Sequence, residues 1–185
     1  MPKILGIDPG LTRCGVGLVE LGKARKISLV HVEVIRSEKE LDLDTRIGII
    51  GNSLEEIIKK HRPDSIAIER VFSQANLSSV MGTAQISGVA LYLANIYQIP
   101  VAMHTPTEVK AAVTGSGRAN KAQVGEMVRR LLSLNEIPKP ADASDALAIA
   151  ICQAFRGATV NSTAYTPAQL AWHTASELAK AKSKR

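Results

Sequence analysis

Apolar and polar positions change period several times along the chain, and each change marks an element. Ile4 to Ile7 is a short apolar run of strand length, Cys14 to Glu20 is a second, and Lys26 to Ile35, rich in Val and Ile, is a third. Three successive strands with short turns predict an antiparallel meander, with Gly10 supplying a positive backbone dihedral in the first turn. Arg36 to Asp44 is polar and acidic and reads as a solvated connection. From Thr45 to His61, apolar residues at Ile47, Ile50, Leu54, Ile57 and Ile58 form a helical stripe. Lys59, Lys60 and His61 close it where the macrodipole favours cations, and Pro63 ends it. Ser65 to Glu69 is a strand that follows a helix, so it is expected to enter the sheet by a crossover and to lie inside it.

Val71 to Thr107 contains no Asp, Glu, Lys or Arg. Within it Ser78 to Tyr97 has helical length, interrupted by Ser79, Gln85, Ser87 and Asn95, which argues against a membrane span. Two readings remain: a helix buried in the monomer, or a dimer contact where Gly82, Ala84, Ser87, Gly88 and Ala90 let two backbones approach. Ile99 to His104 reads as a fifth strand ending in a satisfied histidine. Pro106 then opens a helix to Val113, Gly115-Ser116-Gly117 is a flexible break, and Asn120 caps a helix from Lys121 to Leu134. A last helix starts at Pro140, where Ala141, Ala143, Ala146 and Ala150 make it thin enough to pack on Gly6, Gly15 and Gly17 of the first two strands. The fold class is therefore α/β, a mixed five-stranded sheet of an antiparallel meander plus parallel strands, flanked by helices.

Composition narrows the class. A chain of 185 residues with 45% hydrophobic content suffices for one domain burying roughly 70% of its unfolded surface. Cys14 and Cys152 lack metal or redox spacing and read as reduced core residues. The N-terminal apolar run is too short for a signal peptide and carries Asp8, so a cytoplasmic location is expected. A net charge of +6 favours a polyanionic partner.

The candidate chemistry lies in the acids. Asp8 ends the first strand and Glu69 the fourth, and ligands of open α/β sheets gather at carboxyl ends of strands. Asp142 and Asp145, three apart, share a face at the start of the last helix. Each has an ordinary reading: a turn aspartate in Asp8-Pro9-Gly10, an exposed strand end, two acids favoured by a helix dipole. Close packing of the thin helix on the glycines would put Asp142 and Asp145 beside Asp8. Clustered acids could hold two Mg2+ ions about 3.5 to 4 Å apart. Lys110, Arg118 and Lys121 cluster around the Gly115 break, as solubilising charges or as phosphate contacts.

Gly6-Ile7-Asp8-Pro9-Gly10, Ala67-Ile68-Glu69 with Val71-Phe72, Val109-Lys110, Lys121-Ala122-Gln123 and Ala141-Asp142-Ala143-Ser144-Asp145-Ala146-Leu147-Ala148 together resemble the RuvC family of Holliday-junction resolvases, from about Met1 to Phe155. The resemblance implies a ribonuclease H-like fold and a homodimer. It also implies magnesium-dependent cleavage of two opposed strands of a four-way DNA junction in recombination and repair, and partnership with RuvA and RuvB. By the same resemblance Asp8, Glu69, Asp142 and Asp145 match the catalytic, metal-holding acids, with two Mg2+ per site and Mn2+ as a substitute. Phe72 matches a junction-contacting aromatic, and Lys110 and Lys121 match DNA-binding lysines. No membrane is involved.

Two rivals are open at this stage. The Gly6 to Thr12 segment also resembles the first phosphate hairpin of actin-like ATPases and sugar kinases, which need a second such domain. A non-catalytic junction binder would use the same basic charge and Phe72, but four carboxylates would then repel DNA without purpose. After Gly157 the composition changes: Ala158 to Arg185 carries Lys180, Lys182, Lys184 and Arg185 against Glu177 and reads as a basic, flexible tail beyond a nuclease domain of residues 1–157.

Overall fold

The computed structural model describes residues 1–70 and 77–160, with side chains omitted at 77–79 and 158–160. Phe72 and residues 161–185, most of the basic tail, lie outside the described residues. The chain divides into a unit Met1–Phe155 and a unit Arg156–Arg185.

Five strands form one sheet in the order β3-β2-β1-β4-β5: β1 Lys3–Asp8, β2 Arg13–Leu21, β3 Ile27–Arg36, β4 Ser65–Glu69 and β5 Val101–His104. The first three pair antiparallel as the meander expected, with a register shift between Leu18 and Val19. Strand β4 runs parallel to β1, and β5 runs parallel to β4. The helices are α1 Leu43–His61, α2 Leu77–Ile96, α3 Pro106–Thr114, α4 Lys121–Leu131 and α5 Ala141–Val160.

Strand alternation sorts the core into two layers. Leu5, Ile7, Val16, Leu18, Ile66 and Ile68 face one side, where Ile50, Leu54 and Ile58 of α1 and Ile86 and Ala90 of α2 cover them. Ile4, Val19 and Ala67 face the other side, with Val109 of α3, Val124 and Val128 of α4, and Leu147 to Cys152 of α5. Cys14 and Cys152 are both buried, as their apolar contexts suggest, and the Cys152 Sγ donates to the Glu108 carbonyl at 3.8 Å.

Small residues set the approach of α5. A Cβ on Gly15 would stand 2.1 Å from the Asp142 carbonyl oxygen, one on Gly6 would stand 2.2 Å from that of Ala146, and one on Gly17 would stand 2.8 Å from the Leu147 nitrogen. No side chain fits between the strands and this helix, so its alanines and these glycines are one packing device.

Several local expectations change. Among the described residues Gly115, not Gly10, is the glycine with positive φ. Gly10 is needed because a Cβ there would meet the Arg13 carbonyl oxygen at 2.3 Å. Gly115, at φ 81°, is the left-handed cap of α3 with its N–H donating to Ala111, so the segment read as a flexible break is an ordered helix end. Helix α4 stops at Leu131 because Ser133 turns left-handed, at φ 54°, while the Leu134 N–H donates back to Arg129. Gly82 of α2 faces Leu11 of the same chain, with a Cβ contact of 3.0 Å, so it belongs to the intramolecular core and not to an outer helix contact.

Candidate active site

Residues Ile4, Gly6 and Asp8 share one face of β1, and Ala67 and Glu69 share the same face of β4. That face is the one α5 covers. Parallel pairing of Ile7 with Ile68 makes Asp8 and Glu69 neighbours at adjacent strand ends. Gly15 lets α5 descend until Asp142 sits over β2, and Asp145 follows one turn along. The result is a cavity of about 310 Å³ lined by Asp8, Glu69, Asp142, Asp145, Lys110 and Lys121 among others.

Its electrostatics are those of crowded carboxylates. Burial, then repulsion by Glu69, Asp145 and Asp142, pushes the Asp8 carboxyl up to about 7, against a partial lowering by Lys121. Glu69 is raised by burial and by Asp145, with Lys121 and Lys110 opposing. Cations answer the other two acids: Arg13 Nε lies 3.2 Å from Asp142 Oδ2, and Lys121 Nζ lies 3.0 Å from Asp145 Oδ2. Among the described residues no three acids, histidines or cysteines form a ready-made metal cage.

The acid set nonetheless fits a hard divalent cation. Every donor is a carboxylate oxygen, the preference of such ions, and the destabilised Asp8 anion gains most from added positive charge.

Of the cations singled out in the sequence, Lys110 and Lys121 line the acidic cavity. Lys110, carried by α3, makes no ion pair among the described residues. Lys121 stands at the first turn of α4, whose capping box joins Asn120 and Gln123. Arg118 is not brought to the acids; it lines a separate groove with Ser116, Asn120 and Arg130. His104 is buried and its Nε2 meets Gln153 Oε1 at 2.9 Å, the satisfied strand-end histidine expected. Arg13 was missed, since a lone arginine in a turn carries no motif; its position between Gly10 and Gly15 was the available signal.

The family profile for Crossover junction endodeoxyribonuclease RuvC matches residues 4–153. The chain belongs to the RuvC family. A Crossover junction endodeoxyribonuclease RuvC from Paenarthrobacter aurescens is 51% identical over 188 residues, covering 99% of this chain and 98% of the relative. One from Leifsonia xyli is 51% identical over 189 residues, covering 94% of this chain and 91% of its own length. Among solved structures, T. thermophilus RuvC in complex with Holliday junction substrate superposes with a TM-score of 0.81 at 34% identity, over 85% of this chain and 95% of that one. RuvC nucleases are metal-dependent, and the ribonuclease H-like fold of the family is the fold of this chain. Among the described residues no helix is long and apolar enough to cross a membrane.

Proposed function

We propose that the chain is a structure-selective endonuclease that resolves four-way DNA junctions by paired, metal-dependent phosphodiester hydrolysis on opposed strands, in recombination and repair. The observation that carries this reading is the convergence of Asp8, Glu69, Asp142 and Asp145, from three chain segments, in a cavity rimmed by Lys110 and Lys121. A non-catalytic junction binder gains nothing from that convergence, because uncompensated carboxylates repel phosphate.

The four acids would hold Mg2+, two ions per site, with Mn2+ as a substitute. Bound there, the metal supplies Lewis-acid polarisation of a phosphoryl oxygen, an acidified water and charge compensation at the leaving oxygen. The protein's own work is positioning. Asp8 and Glu69 are fixed by the sheet and Asp142 and Asp145 by α5, so the charge array is built before DNA arrives. Lys110, unpaired within the described residues, and Lys121, 80% exposed, would grip phosphates of the cleaved strand. Phe72, three residues beyond Glu69, would stack on an unpaired base at the crossover. Arg118 would contact a more distant phosphate from its separate groove.

Two opposed cuts call for two sites, and a homodimer supplies them. What supports it is the outer face of α2: Met81, Ala84, Gly88, Leu91 and Asn95 are exposed at alternating spacings of three and four, the rhythm of a helix-pairing seam. Gly88 lies where a Cβ would touch nothing within 4 Å, which leaves room for a second backbone. Family membership supports assembly with RuvA and RuvB and a place in the cytoplasm beside its DNA.

The test is cleavage of a synthetic four-way junction across a Mg2+ titration by Asp8→Asn, Glu69→Gln, Asp142→Asn and Asp145→Asn. If each metal contact contributes about 3 kcal/mol to the transition state, each variant should lose on the order of a hundredfold or more while still binding the junction. Wild-type turnover by any one removes that residue from the site, and metal-independent binding by wild type without cleavage favours the junction binder.

A further inference from the structure

The acidic cavity has a second, basic neighbour. A cavity of about 510 Å³ that shares Asp142 with it is lined by Arg13, Lys39, Arg46, Thr12 and Thr83. Next to it, Arg13 and Lys39 recur with Arg36 around a further opening. The turn that carries Arg13 is stapled in place. Arg46 donates from Nε to Ser37 Oγ at 3.1 Å and from Nη2 to Thr12 Oγ1 at 2.9 Å, Ser37 Oγ donates to the Leu11 carbonyl, and the Ser37 N–H donates to the Thr12 carbonyl at 3.2 Å. Arg46 is thus committed to the loop, whereas Arg13 lies with Nε 3.2 Å from Asp142 Oδ2 and makes no other ion pair among the described residues.

Resting on the reading of the acids as a metal-dependent junction site, we propose that Arg13 exchanges partners: it holds Asp142 while the carboxylate lacks a cation, and grips a backbone phosphate of the junction once a divalent ion takes Asp142. An exposed ion pair is weak, and Arg13 is 54% exposed, so a doubly charged ion displaces it readily. The freed guanidinium is fork-shaped and matches phosphate geometry. It reaches the acids from β2, whereas Lys110 and Lys121 reach them from α3 and α4, so the strand would be held from separate elements around the cleavage point. Arg13 is a positioning residue in this scheme, since the hydrolytic chemistry belongs to the acids and what they bind.

The experiment measures binding, not turnover, on the full chain. Without DNA, calorimetric titration with Mg2+ or Ca2+ should show Arg13→Gln binding the ion roughly two- to fivefold more tightly than wild type, because the competing cation is gone. With four-way junction DNA, the slope of log affinity against log salt should fall by roughly 1 in Arg13→Gln when Ca2+ is present and stay at the wild-type value in EDTA. Arg13→Lys should keep the wild-type slope in Ca2+, and all three proteins should melt together. An unchanged slope in Ca2+, an equal fall with and without the ion, or unaltered ion affinity each overturns the exchange. Failure of the underlying reading looks different: the wild-type chain itself would show no metal-dependent cleavage of the junction.

Discussion

Replacing Asp8 by Asn should make the metal-free protein more stable at neutral pH while abolishing its cleavage. The carboxyl of Asp8 is pushed from its ordinary 3.8 up to about 7, first by burial and then by Glu69, Asp145 and Asp142. The sign follows from proton counts. Between about pH 4 and pH 7 the folded chain keeps a proton on Asp8 that the unfolded chain has lost, so wild-type stability falls as pH rises through that interval and levels off above it. An asparagine of the same shape does not titrate, so the variant escapes the fall.

The full displacement corresponds to roughly 4 kcal/mol at about 1.36 kcal/mol per pKa unit. Arg13 and Lys121 can lean further into the cluster, which reduces the gain to a fraction of that, about 1 to 4 kcal/mol. For a chain of this size each kcal/mol moves Tm by about 2 to 4 °C. Melting in EDTA from pH 4 to pH 8 should therefore show the two proteins together at the acid end and Asp8→Asn several degrees higher at the alkaline end. Mg2+ at pH 8 should raise the wild-type Tm and close the gap, because an ion that binds only the folded site stabilises it by mass action. A variant that melts below wild type in EDTA at pH 8, or a gap that does not change with pH, would refute the account of Asp8 as a crowded, cation-seeking carboxylate.

Lys110→Ala and Lys121→Ala should each reduce the salt slope of junction binding by roughly 1, read by fluorescence anisotropy, and an unchanged slope would return that lysine to the surface. Gly88→Arg, at the open centre of the α2 seam, should give folded monomers by sedimentation, whereas a still-dimeric variant would exclude that seam. Phe72→Ala should melt like wild type and lose junction cleavage, losing less on a junction already unpaired at its crossover; a Tm drop matching about 3 to 5 kcal/mol with cleavage intact would make Phe72 a core residue. Gly15→Ala should lower both Tm and cleavage, since its Cβ would stand 2.1 Å from the Asp142 carbonyl, and normal activity would show that α5 need not lie so close.

Much of the site was legible because strand ends and small residues leave plain marks in sequence. Two apolar runs each close on an acid, and the period-2 rule alone fixes that acid on the face shared with Ile4, Gly6 and Ala67. The glycines of β1 and β2 matched against the alanines of α5 then point to the helix that must lie on that face, which brings Asp142 and Asp145 with it. What stayed hidden depends on contacts between distant segments. Gly10 and Gly115 are both glycines in turns, yet one avoids a steric clash with Arg13 and the other caps a helix, and composition does not distinguish these. Gly82 and Gly88 lie six apart on one helix, but Leu11 covers the first and leaves the second open. Arg13 is the sharpest case. Its role is set by Arg46 and Ser37, residues 33 and 24 positions away that staple its turn, and by Asp142, which reaches it only because Gly15 lacks a side chain. The glycine that admits α5 also delivers the carboxylate that Arg13 holds, so the packing of the helix sets which charges meet in the site.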